Sequence, residues 1–76
     1  MKELIEILKG LHPDVDFENT TTLIDDQILD SFDIITLITE IDSVFDVQIP
    51  AEEIVPERFN SAKALYELIE ELLEDN

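Results

Sequence analysis

Apolar side chains recur along this chain at helical spacing, in three separated stretches. Leu4, Ile7, Leu8 and Leu11 follow an i, i+3, i+4, i+7 pattern and predict one face of a first helix over about residues 2–10. Leu11 is expected to pack just past its end. Lys2, Glu3, Glu6 and Lys9 fall mostly on the opposite side, with Ile5 between. Gly10, the single glycine, stands where a C-terminal cap is expected, and Pro13 follows. The second stretch is the most regular: Ile34, Leu37, Ile38, Ile41, Val44 and Phe45 share one stripe. Asp30 suits the N-cap of this helix. Asp33 adds a carboxylate to its first turn, where the positive end of the helix dipole favours one. The third stretch, after a cap at Asn60 or Ser61, puts Leu65, Leu68, Ile69 and Leu72 inside, and Glu67, Glu70, Glu71 and Glu74 in water, up to about Leu73.

Between these stretches the periodicity lapses. Residues 11–30 read as a long connection, pinned to the core by Val15, Phe17, Leu23, Ile24, Ile28 and Leu29. A connection of that length within a compact domain is often functional. Asp46 to Ile49 reads as short and extended. Pro50 is expected to open a short helix over Ala51–Val55, with Pro56 ending it. The prediction is an all-α fold: three longer helices, one short helix and a long first loop, forming a single domain over residues 1–76.

Composition narrows the functions available. The 76 residues hold 20 Asp plus Glu against 4 Lys plus Arg, a net charge of −16, yet 45% are hydrophobic. That apolar share is too high for an acidic disordered tail. The charge argues against nucleic acid and against anionic membrane surfaces, and favours partners with basic docking faces. No apolar run reaches the ~20 residues of a membrane span, and Glu3 and Glu6 interrupt the apolar N-terminal stretch, unlike a secretory leader. A cytoplasmic, monomeric protein is expected. Cysteine is absent and His12 is the lone histidine, so thiol nucleophiles, catalytic triads and Cys- or His-rich metal sites have no residues to build them. His12 reads as a surface or loop-packing residue. Asp14-Val15-Asp16-Phe17-Glu18-Asn19 begins like a calcium loop, but Asn19 stands at the turn glycine and Asp25 at the twelfth position. An ordinary acidic loop is the expectation there, with no metal and no enzyme activity.

The informative segment is Asp30-Ser31-Phe32-Asp33. Ser43 lies mid-helix and Ser61 at a cap, whereas Ser31 opens the second helix directly after the long connection, beside two acids. At about 100° per residue, with the stripe centred on Ile41, Ser31 lies about 80° from the centre, Ile35 about 120° and Phe32 about 180°. Phe32 and Ile35 therefore point away from their helix's own core stripe. Either they pack under the long loop or they form an exposed patch for a partner.

Leu29-Asp30-Ser31-Phe32-Asp33, opening the second helix of a small acidic four-helix domain, resembles the phosphopantetheine attachment site of acyl carrier proteins. The likeness extends over the whole chain, through Phe45, Ile49-Pro50 and Phe59-Asn60-Ser61. Many carriers have glycine three residues before the serine; here that position is Ile28. In this the chain is similar to stand-alone carriers such as D-alanyl carrier proteins rather than to those of fatty-acid synthesis. The resemblance implies covalent 4′-phosphopantetheine on Ser31, flanked by Asp30, carrying an acyl or aminoacyl thioester. It implies a phosphopantetheinyl transferase, an adenylate-forming acyl- or aminoacyl-activating ligase and a downstream acyltransferase or synthase as partners. Phe32, Asp33, Ile35, Glu40 and Asp42 are the expected docking residues. A fatty-acid or polyketide carrier, and an unmodified acidic adaptor, are the competing readings.

Overall fold

A computed structural model describes residues 2–74. The chain is all-helical: α1 (Lys2–Leu11), α2 (Ser31–Phe45), a 3-10 turn (Ala51–Glu53), α3 (Pro56–Phe59) and α4 (Ala62–Glu74). The three long amphipathic helices enclose one core. Leu4 and Leu8 of α1, Leu37 and Ile41 of α2, and Leu65, Leu68 and Ile69 of α4 are buried, at most 1% exposed. Phe17, Leu23 and Leu29 from the long connection, and Val47, Ile49 and Phe59 from the later segments, complete the core. The connection is thus anchored at three points along its length, which is how apolar burial holds so long a segment without regular structure.

α1 extends through Leu11, one residue beyond the expected end. Gly10 lies inside the helix rather than capping it, and no glycine has a positive φ. The helix closes instead through the His12 amide, which donates to the Leu8 carbonyl at 3.0 Å. At the far end of α2, Asp46 adopts the left-handed conformation (φ 58°) and donates its amide to the Asp42 carbonyl. Aspartate tolerates this conformation better than most side chains.

Pro56 begins a helix as well as ending one. It forces Val55 to be extended (φ −133°, ψ 156°), so the turn after Pro50 stops at Glu53 as 3-10 and does not reach Val55. Pro56 itself takes the first position of α3, where its missing N–H costs no hydrogen bond. The expected short helix over Ala51–Val55 is therefore replaced by a 3-10 turn and a separate α3. Arg58 of α3 grips α4 through a two-pronged pair with Glu71, at 2.7 and 3.1 Å. That pair lowers the Glu71 pKa and raises that of Arg58.

The two candidate caps of α4 divide their roles. Ser61 Oγ accepts from the Ala64 amide at 3.0 Å. Asn60 turns to the long connection: its Oδ1 accepts from the Ile24 and Asp25 amides at 2.9 and 3.0 Å, and its carbonyl accepts from the Leu23 amide. Val44, expected on the core stripe, is 49% exposed and lines a groove with Glu3 and Ile7 of α1. Ile38 is half-buried.

Candidate functional site

Ser31 is the first residue of α2 and is exposed. The turn that presents it is held by reciprocal capping. Asp30 Oδ1 accepts from the Asp33 amide at 2.8 Å, and Asp33 Oδ2 accepts from the Asp30 amide at 3.4 Å. Asp30 itself is extended (φ −97°, ψ −177°), and Ser31 follows it as the exposed first residue of the helix. The amides of Ser31 and Phe32 have no preceding turn to bond to, as in the first turn of any helix.

A third element braces this turn. His12 Nε2 lies 2.7 Å from Asp33 Oδ2, linking the end of α1 to the start of α2. A carboxylate only accepts, so Nε2 carries the hydrogen. The His12 hydrogen bond is the largest cause holding the Asp33 carboxyl below its ordinary range, and the Asp30 amide lowers it further against the opposing effect of burial. Asp33, one of the expected docking residues, has its carboxylate half-buried and engaged by both neighbours. Sequence reading missed the pair. Its signal was a lone histidine just past one helix and an acid in the first turn of the next, and only the packing of α1 against α2 brings them together.

Of the two outcomes open for Phe32 and Ile35, the structure takes exposure. They are 76% and 65% exposed, the two most exposed large apolar side chains among the described residues. Asp42 is exposed on the same flank as Ile35, about 20° away around the helix. Glu40 is not part of that patch. It sits on the other flank of α2, in the groove shared with Glu3 and Glu6 of α1, because residues 35 and 40 differ by about 140° in helical phase. Ser31, Ile35 and Asp42 thus share one flank of α2 and Glu40 the other, with exposed Phe32 between the two flanks and Asp33 engaged by His12 and Asp30. Among the described residues there is no group of three or more His, Asp or Glu placed to hold a metal ion, in the Asp14–Asp25 loop or elsewhere. Asp16 in that loop accepts from Asn19 Nδ2 instead. No described helix is long and apolar enough to cross a membrane.

A small apolar pocket of about 70 Å³ lies beside this helix start, lined by Ile24, Ile34, Ile54, Val55, Pro56 and Phe59. Ile34 follows Ser31 by three residues, so the pocket borders the same first turn.

No protein-family model matches the chain, and no curated protein matches it. Among solved structures it is similar to a chain described as "Crystal structure of FAD-dependent dehydrogenase", with 33% identity and a TM-score of 0.70. The match covers 95% of this chain and 100% of the other, so that chain is also a small domain. The present sequence has one glycine, Gly10, inside α1, and so lacks the glycine-rich turn on which dinucleotide-binding folds seat a pyrophosphate. At this identity over nearly the whole of both chains, the two belong to one family of small helical domains.

Proposed function

We propose that this chain is a non-enzymatic carrier that holds an acyl or aminoacyl group as a thioester on 4′-phosphopantetheine attached to Ser31. The observation that carries the reading is Ser31 itself: an exposed hydroxyl on the first residue of α2, in a turn braced by Asp30, Asp33 and His12, with exposed Phe32 and Ile35 beside it.

The residues present fit such a group. The Ser31 oxygen is sterically open to bond to the pantetheine-side phosphorus as the pyrophosphate linkage of coenzyme A breaks, releasing adenosine 3′,5′-bisphosphate, with the serine proton passing to the transferase. The amide-rich start of α2 tolerates a phosphodiester. Asp30 and the general negative charge discourage the anionic linkage from folding back onto the surface. When attached, the group supplies the thiol that this cysteine-free chain lacks. Phe32 and Ile35 offer apolar contact, and Asp42 offers charge, to enzymes that load and unload the carrier.

A small cargo is favoured. Ile28 stands where many carriers have glycine before the serine, as in stand-alone carriers. That supports an amino acid or another small acid, activated by an adenylate-forming ligase, over a long fatty acyl chain. The solved chain's dehydrogenase description adds a flavin-dependent dehydrogenase acting on the tethered group to the downstream partners. In that arrangement the flavin belongs to the partner enzyme.

The test is intact mass after incubation with coenzyme A and a broad-range phosphopantetheinyl transferase. The expected outcome is a gain of one phosphopantetheine that disappears in Ser31→Ala. A gain that persists in that variant overturns attachment at Ser31, and no gain with several transferases overturns the reading in favour of an unmodified acidic adaptor.

A further inference from the structure

The groove between α1 and α2 has features the carrier reading leaves unexplained. It measures about 460 Å³ and opens on the flank of α2 opposite the Ser31 side. Ile7, Leu11 and Val44 give it apolar walls, while Glu3, Glu6 and Glu40 rim it. Among the described residues, no lysine or arginine lines it.

Gly10 lies in this groove and serves no backbone purpose there. It has no positive φ, and it is not the residue that ends α1. A Cβ placed on it would meet nothing within 4 Å, so no close approach demands its absence either. Glycine weakens a helix relative to alanine. Its effect here is to leave the groove open where any other residue would project a side chain. The 49% exposure of Val44, on the stripe that otherwise enters the core, is a second apolar surface left bare in the same place.

We infer that this groove is a docking site for a basic amphipathic segment of a partner protein, with an apolar side chain seated over Gly10 and Lys or Arg meeting Glu3, Glu6 and Glu40. Charge complementarity selects this occupant. A second copy of a chain at −16 is repelled, as are nucleic acid and anionic lipid. The inference is independent of the carrier reading, and because the groove faces away from Ser31, one partner can be held there while another works on the serine.

The test is titration of ¹⁵N-labelled protein with a synthetic helical peptide bearing Lys and Arg beside a row of Leu and Phe. A peptide of equal charge with Ala in place of the Leu and Phe serves as the control. Saturable shifts are expected at Ile7, Gly10, Thr36 and Val44, with about tenfold weaker binding by the control. Gly10→Phe is expected to fill the groove and weaken binding about tenfold without lowering Tm. Glu6→Lys with Glu40→Lys, both at exposed positions, is expected to do the same through charge. Ser31→Ala should bind as wild type does, which separates this result from the fate of the carrier reading. Shifts centred on Phe32 and Ile35, equal binding of the control, or unchanged affinity in both groove variants overturns the proposal. So does a concentration-dependent dimer that Gly10→Phe abolishes, because the occupant is then a second copy.

Discussion

His12 and Asp33, 21 residues apart in the chain, meet at 2.7 Å and close the long connection at the point where α2 begins. The imidazole follows α1 directly and its own amide ends that helix on Leu8. The carboxylate is the reciprocal cap of α2. One pair therefore fixes the end of α1, the start of α2 and the turn that presents Ser31.

This geometry has a pH signature. Asp33 titrates below its ordinary value because His12 donates to it. A carboxyl lowered in the folded state adds stability above its unfolded pKa and loses it as pH falls through the lowered folded value. Carboxyl NMR should accordingly find Asp33 titrating below the ordinary aspartate value, and His12→Ala should move it back up. Asp33→Ala removes the pair and the reciprocal half of the capping box, while Asp30 still caps the residue-33 amide, and is expected to cost about 0.5–1.5 kcal/mol in urea unfolding. If Asp33 titrates unchanged in His12→Ala, the pair does not persist in solution.

The exposed patch and the core of α2 should respond oppositely to truncation. Ile35 is 65% exposed, so Ile35→Ala should change stability by no more than about 0.5 kcal/mol. It should still slow loading by the transferase or ligase if that face is the docking surface. Leu37 is fully buried two residues on, and Leu37→Ala should cost about 2–5 kcal/mol. Urea unfolding and loading rate, measured on both variants, separate contact from packing. A stable Ile35→Ala that loads at the wild-type rate moves docking to another face.

Gln27 occupies the left-handed region at φ 57°, in the turn that precedes α2. A side chain there costs roughly 1–2 kcal/mol relative to glycine, which is offset in part by glycine's greater freedom when unfolded. Gln27→Gly is expected to raise stability by about 0.5–1 kcal/mol. Ile28→Gly, which puts the glycine where many carriers have it, should instead destabilise, because Ile28 packs partly against the core. A rise in the unfolding midpoint for the second variant and not the first would show that the strain lies at the wrong residue.

Periodicity made the three long helices legible, since each must bury one stripe and the stripes recur at helical spacing. It also placed Ser31 at the opening of α2 and turned Phe32 and Ile35 away from the stripe, because helical phase follows from spacing alone. The Asp30–Asp33 cap was legible for the same reason: its partners lie three residues apart. Pro56 was read halfway. The restriction it places on Val55 is local, but the seating of α3 through Phe59, 1% exposed in the core, and the Arg58–Glu71 pair joins residues distant in the chain.

What the sequence determined by itself is what neighbours within a few residues decide: the three long helical stretches, the Asp30–Asp33 cap, the charge and the outward turn of Phe32 and Ile35. Tertiary structure alone decided the rest. It chose Asn60 to hold the long connection rather than to cap α4, brought His12 to Asp33, and laid Glu3 and Glu6 of α1 along the Glu40 flank of α2. These choices depend on which helix flanks lie side by side. That is set by how the apolar stripes of all three long helices and the anchors Phe17, Leu23 and Leu29 fill one core together, and no local spacing encodes that packing.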